Sequence, residues 1–206
     1  MLSRSRGYSL IELMIAVAIL GILVGLGIPA FNVMLKNLQI RSAAESLVAG
    51  LQSARNEAVR RNSAVRFQLV DSLGNQCALL ETGPNWVISR NVPTAKCDQA
   101  EVADFLEPNV TAQPQILQKK PLREGTAQMA ATAAGAAANT VIFNSLGRVA
   151  AGGIDTIDVT NSAGGTCTAA GGPLRCLRIL VGAGGKVKVC DPAVAVSTPP
   201  DSRYCQ

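Results

Sequence analysis

The stretch Arg6-Gly7-Tyr8-Ser9-Leu10-Ile11-Glu12-Leu13-Met14-Ile15-Ala16-Val17-Ala18-Ile19-Leu20-Gly21-Ile22-Leu23-Val24-Gly25-Leu26-Gly27-Ile28-Pro29 decides how the chain is read. From Leu13 to Pro29 seventeen residues carry no charge, yet Glu12 stands at their entrance. A charged group near hydrocarbon costs about 3 kcal/mol even on lenient insertion scales, so this carboxylate calls for a partner. A secretory signal has an apolar core of about 7–15 residues followed by a small-residue cleavage site. Here the run is longer, and no Ala-x-Ala follows it before the polar helix begins. An ordinary membrane anchor takes about 20 apolar residues, which this run nearly reaches. The basic leader Met1–Gly7 would stay cytoplasmic, leaving the remainder on the other side. Gly21, Gly25, Gly27 and Pro29 weaken a helix. Small residues also let helices approach closely, and Pro29 predicts a kink or a locally melted segment.

Beyond Pro29 the pattern turns amphipathic. Phe31, Leu35, Leu38, Leu47, Leu51, Ala54 and Ala58 recur at three- and four-residue steps, with Lys36, Arg41, Glu45, Arg55, Glu57 and Arg60 between them. One helix with a buried face is predicted from Ser9 to Arg61, roughly 80 Å long. Asn62-Ser63 ends it. Strand signals follow at Val65–Leu69, Cys77–Glu81, Trp86–Arg90, Thr140–Phe143, Ile154–Val159, Leu174–Val181 and Lys186–Cys190. Thr82-Gly83-Pro84-Asn85, Gly74-Asn75, Leu146-Gly147 and Gly182–Gly185 read as turns. The segment Gln113–Asn139, polar and then alanine-rich, reads as a long loop or a short helix. The fold class expected is α+β: a long N-terminal helix, its first half transmembrane and its second half packed on a head of antiparallel β-sheet.

The net charge of +5 is mildly basic, and loss of Arg4 and Arg6 with the leader would lower it to +3. That is weak ground for a nucleic-acid partner. Aromatic residues make up 3% of the chain, so the core must be built from Val, Ile, Leu and Ala. There is no histidine. Ser-His and Cys-His catalysis are thereby excluded, and the commonest metal ligand is absent. The six cysteines form no Cys-x-x-Cys pair. An even count beyond an apolar segment suits an oxidising compartment. Pairing of sequence neighbours is expected, Cys77–Cys97, Cys167–Cys176 and Cys190–Cys205, out of 15 connectivities.

In the last hairpin the odd positions Ile179, Val181, Val187 and Val189 are apolar, while Arg178, Lys186 and Lys188 are even. Facing residues share a side of a sheet. Pairing Val181 with Val187 and Ile179 with Val189 sorts the two classes, and a glycine-containing bulge supplies the extra residue. The odd face would pack on the helix and the three cations would share the solvent face.

Gly7-Tyr8-Ser9-Leu10-Ile11-Glu12 resembles the signature of type IV pilins and type II secretion pseudopilins. In that family a short basic leader ends in Gly, and an aromatic or Met residue and a spaced Glu head an apolar helix. The resemblance implies cleavage by a prepilin peptidase between Gly7 and Tyr8 and N-methylation of Tyr8. In a filament, Glu12 of one subunit would then neutralise the Tyr8 ammonium of its neighbour, a paired charge being tolerable where a lone one is not. Three later motifs are similar to the GspH/FimT branch: Asn85-Trp86-Val87-Ile88, Phe143-Asn144-Ser145-Leu146-Gly147-Arg148-Val149 and Gly185-Lys186-Val187-Lys188-Val189-Cys190. Outside 113–139 and 163–173 the resemblance spans most of the chain.

That branch implies a structural subunit without enzymatic activity, cofactor or metal. The expectation is a minor pilin of a type IV pilus, with a minor pseudopilin of a type II secretion system as the alternative. The domains would be a cleaved leader (1–7), a transmembrane and filament-core helix (8–29), the amphipathic second half of the helix (30–61) and a periplasmic head (62–206). The chain would be held in the inner membrane by a single pass. Its partners would be other pilins or pseudopilins, the prepilin peptidase and the inner membrane. Some FimT-like members are DNA receptors with a Gly-Arg-x-Arg motif, and the matching stretch here carries Lys186 and Lys188. With Arg178 and Arg148 these form the candidate DNA-binding set. Lysine neutralises phosphate without the bidentate fork of arginine, and no aromatic residue adjoins the cluster for base stacking.

Overall fold

A computed structural model describes residues 8–103, 114–122, 129–150, 153–197 and 201–205, apart from the side chains of residues 26, 27, 29 and 30. The leader and the expected cleavage residue Gly7 lie outside the described residues. One helix, α1 (Leu10–Arg60), runs for 51 residues, about 77 Å at 1.5 Å per residue. Ser9 caps it: the Ser9 Oγ accepts the Glu12 N–H at 3.3 Å, the side-chain capture that satisfies an orphan donor of the first turn. The helix continues through Pro29 without interruption, so the melted segment expected there is not formed. At its far end the Arg61 N–H donates to the Glu57 carbonyl, and Asn62 turns the chain with a φ of 47°.

Two antiparallel sheets pack on the C-terminal part of α1. The first, in the order β4-β3-β1-β6, contains β1 (Val65–Val70), β3 (Asn85–Ser89), β4 (Ile116–Pro121) and β6 (Thr140–Phe143). The second, in the order β2-β5-β7-β8-β9, contains β2 (Thr82–Gly83), β5 (Met129–Gly135), β7 (Ile154–Asn161), β8 (Leu177–Val181) and β9 (Val187–Cys190). The architecture is therefore α+β and pilin-like, with the helix laid against antiparallel sheet. The helix face in the core is Ile40, Ala43, Ala44, Leu47, Leu51, Ala54 and Ala58. It meets Val65, Phe67, Trp86, Val141 and Phe143 of the first sheet and Ala131, Ile157 and Ile179 of the second. Trp86 stacks on Phe67 with ring centroids 5.6 Å apart. Both rings press on Gly50 of the helix, where a Cβ would come within 2.9 Å of Phe67.

Four expectations need correction. Phe31, Leu35 and Leu38 do not belong to the buried face: they are 59%, 40% and 53% exposed. The segment Gln113–Asn139 is neither a plain loop nor a helix, since β4 and β5 both lie in it. In β5 the side chains of Met129, Ala131 and Ala133 alternate into the core, so the pleat's period of two outweighs alanine's helix preference. Thr82-Gly83-Pro84-Asn85 is not a hairpin turn. β2 pairs with β5 and β3 with β1, so Pro84 marks the point where the chain passes from one sheet to the other. No strand forms at 77–81, where Leu79 makes a single bridge to Val70.

Three disulfides staple the head: Cys77–Cys97, Cys167–Cys176 and Cys190–Cys205. The last ties Cys205 back to the end of β9. Beside it the Asp191 N–H donates to the Arg203 carbonyl, and Lys188 Nζ donates to the Tyr204 carbonyl at 3.0 Å.

Candidate assembly interface

The head lets go of the helix at a definite level. Lys36 Nζ donates to the Ala163 carbonyl at 2.6 Å, the Arg175 N–H donates to Asn37 Oδ1 at 2.8 Å, and Asn161 Nδ2 donates to Gln39 Oε1 at 3.0 Å. From this latch toward Arg60 one face of the helix is buried in the head; toward Leu10 its apolar side chains are largely exposed. Between Leu10 and Leu38 sixteen large apolar side chains of the described residues are exposed. Covering an apolar side chain is worth roughly 1.5–3 kcal/mol when the burial is complete. The free half of α1 is therefore a surface of order 20 kcal/mol waiting to be covered. Glu12 is the acidic residue of its first turn, where the helix dipole favours a carboxylate. Tyr8 precedes it at the free end and is 86% exposed. Among the described residues, no helix is long and apolar enough to cross a membrane.

The basic hairpin has the sorted register, with Val181 opposite Val187 and Ile179 opposite Val189. Gly185 supplies the loop's positive φ of 79°. Ile179 and Val181 are buried, but Val189 is 37% exposed and borders an open groove beside α1 instead of packing on the helix. The four candidate cations differ in what engages them. Arg178 is clamped by Asp158 on β7 through two bonds, Nε to Oδ1 at 2.6 Å and Nη2 to Oδ2 at 2.8 Å. The Asp158 bond raises the Arg178 pKa further above its ordinary value. Lys188 is committed to the Tyr204 carbonyl. Lys186 and Arg148 are exposed.

What the 143–149 motif does instead is structural. Asn144 Oδ1 accepts the N–H groups of Leu146 and Arg148, building a tight turn. Gly147, with a φ of 70°, presents its carbonyl to Arg55 Nε of the helix at 3.1 Å. The Val149 N–H donates to the Ala183 carbonyl at 3.0 Å, so this turn is bound to the tip of the last hairpin. A Cβ on Gly185 would lie 2.0 Å from the Gly147 carbonyl oxygen. Arg55, Gly147 and Gly185 thus form one lock between helix, turn and hairpin. Both glycines sat inside quoted motifs, but their contact spans nearly forty residues and no local pattern announces it.

A free apolar helix joined to a disulfide-stapled β head defines a structural subunit whose exposed surface is completed by other molecules. The family described as Type II transport protein GspH matches residues 43–185, and the prokaryotic N-terminal methylation motif matches residues 2–28. The chain belongs to the GspH family, within the type IV pilin and pseudopilin superfamily, and is a structural subunit and not an enzyme. Subunits carrying this methylation motif are anchored in a membrane and incorporated into a pilus or pseudopilus. The chain is 41% identical over 64 residues to the pilin-like protein PilA1 of Thermus thermophilus, a match covering 31% of this chain and 40% of that one. Two crystal forms of the type IV minor pilin FimU of Pseudomonas aeruginosa PAO1 are similar in structure. They show 18% and 21% identity, TM-scores of 0.45 and 0.42, and coverage of 80% of this chain and 95% and 99% of theirs.

Proposed function

We propose that this chain is a minor pilin of a type IV pilus, built into the filament or its tip complex through the free half of α1. The observation that carries this reading is the exposed apolar helix below the Lys36–Gln39 latch with one carboxylate, Glu12, in its first turn. Prepilin peptidase cuts between Gly7 and Tyr8, and Tyr8 is N-methylated. Residues 8–29 hold the chain in the inner membrane before extraction, with the head in the periplasm. Glu12 then offsets the Tyr8 ammonium of a neighbour, and that pair sets axial register as buried polar groups do in coiled coils. The disulfides favour the pilus over the secretion system and suit the periplasm.

Glu12→Val tests this. Insertion into the membrane should be unharmed, since a costly charge is removed, while recovery in sheared filaments should fall at least tenfold. Normal recovery would sink the salt-bridge argument. The family description favours a second reading, a minor pseudopilin of a type II secretion system. Deleting the gene separates them: loss of surface pili with secretion intact supports the first, and the reverse supports the second. DNA binding for uptake would be an added activity resting on Lys186 and Arg148.

A further inference from the structure

The last strand of the second sheet, β9, is open along one side. The Gly182 N–H donates to the Lys186 carbonyl at 2.9 Å, so those two residues form a hydrogen-bonded pair. In an antiparallel ladder such pairs alternate with unbonded ones. In the register of β8 and β9, Lys188 and Cys190 therefore turn their backbone groups toward β8, and Val187 and Val189 turn theirs away from it. The N–H and carbonyl of both valines have no hydrogen-bond partner among the described residues. The next outward donor, the Asp191 N–H, is taken by the Arg203 carbonyl. An open row of this kind is a template for another strand.

Beside the open edge lies the groove of about 720 Å³, whose apolar walls are Val33, Met34 and Leu38 of α1 with Leu177 and Val189. The other face of β9 carries Lys186 and Lys188. Lys186 is exposed and has no ion pair among the described residues. Lys188 donates to the neutral Tyr204 carbonyl, which leaves its charge unmatched. Of the arginines that line the groove, Arg41 is paired with Glu45 and Arg203 answers both Asp201 and Asp191, while Arg175 is exposed and has no ion pair among the described residues. The edge is thus apolar toward the groove and cationic on its outer face.

This pattern narrows the occupant. Pairing β9 with the β9 of a second copy about Val187 would set each Lys186 opposite the other copy's Lys188, and like charges facing across strands are destabilising. The same lysines favour a strand that brings carboxylates. Residues opposite Val187 and Val189 would share their side of the sheet and enter the groove, and the residues between them would share the lysine side. We propose that β9 takes up an extended segment of a partner protein in which apolar and acidic residues alternate, added as a sixth strand to the five-stranded sheet. Backbone bonds to Val187 and Val189 hold the segment, the groove receives its apolar side chains, and the lysines select its carboxylates. The inference is independent of whether the assembly is a pilus or a secretion pseudopilus.

The test uses the detergent-solubilised full chain and the peptide acetyl-Glu-Val-Glu-Val-Glu-Val-amide, with fluorescence anisotropy for binding and amide hydrogen exchange for its site. Saturating peptide should slow exchange at the Val187 and Val189 amides at least tenfold and leave Lys188, already bonded to β8, unchanged. The same peptide with its valines N-methylated, and a peptide with Lys in place of Glu, should each bind at least tenfold more weakly. Val189→Pro removes an outward donor without costing a bond to β8, a position where proline is tolerated, and should weaken binding by a similar factor with unchanged melting. Lys186→Glu, at an exposed site, should do the same and serves if the proline variant does not fold. No binding of the acidic peptide would overturn the proposal, as would binding without protection at Val187 and Val189. Binding that is lost in Lys186→Glu but indifferent to N-methylation would reduce the edge to a cationic patch, open equally to DNA, and would also overturn strand addition.

Discussion

Gly185→Ala is the sharpest probe of the lock that holds hairpin, turn and helix together. At φ 79° an L side chain costs about 1–2 kcal/mol in backbone strain. The new Cβ would sit 2.0 Å from the Gly147 oxygen and 2.9 Å from Arg55 Nε, so the hairpin tip must retreat by about an ångström. That movement breaks the charge-assisted bond from Arg55 to the Gly147 carbonyl, worth roughly 1.5–3 kcal/mol, and the Val149–Ala183 backbone bond, worth roughly 0.5–1.5 kcal/mol. Together they give a loss of about 3–6 kcal/mol. In a domain of this size each kcal/mol moves Tm by about 2–4 °C, so a drop of about 6–24 °C is expected. The matched control is Gly184→Ala one residue earlier, where an added Cβ meets nothing within 4 Å. It should stay within about 0.5 kcal/mol of wild type. Thermal unfolding followed by circular dichroism on the detergent-solubilised full chain provides the measurement. A Gly185→Ala melt within 3 °C of the control would refute the close packing of the two glycine turns and with it the structural role of both motifs.

Replacing Cys190 and Cys205 together by Ser should cost about 3 kcal/mol, the loop-closure term for a separation of 15 residues; thiol labelling of denatured, unreduced wild-type protein should find no free cysteine, and four or more would contradict an oxidised head. Duplex DNA should bind weakly and without sequence preference, with a log–log salt slope of about −1.8 for two phosphates, because only Lys186 and Arg148 of the candidate set are exposed and uncommitted. A slope near −2.7 in an anisotropy titration would mean that Lys188 leaves Tyr204 to join them. Burial pushes the Glu57 carboxyl up, but the bonds from Arg60 and Arg61 outweigh this and hold its pKa below the usual 4.5. The folded value is depressed, so this stabilisation is complete above about pH 4.5 and fades as pH falls through the folded value. Glu57→Gln should flatten that acid limb in chemical unfolding curves taken between pH 3 and 6, and an unchanged limb would show that the pair with Arg61 carries no linkage.

Local pattern determined a great deal here. The uncharged run, the Ser9 cap and the three- and four-residue apolar steps are properties of neighbouring residues, and they set the single helix. Alternation of period two, through the odd-numbered valines and isoleucine, set the register of the last hairpin. The absence of histidine removed whole classes of chemistry before any geometry was known. Tertiary structure decided what depends on distant partners. Phe31, Leu35 and Leu38 continue the apolar stripe of α1 but stay exposed, since burial also needs a covering surface that the stripe itself does not supply. Ala131 and Ala133 entered a strand because β2 and β7 offered ladder positions on both sides, a gain that outweighs the fraction of a kcal/mol by which alanine prefers a helix. Asp158 lies twenty residues from Arg178 and Tyr204 sixteen from Lys188, and those contacts divided a row of cations that the hairpin pattern placed on one face. A charge is legible in a sequence, but whether it is free is a property of whatever the fold sets beside it.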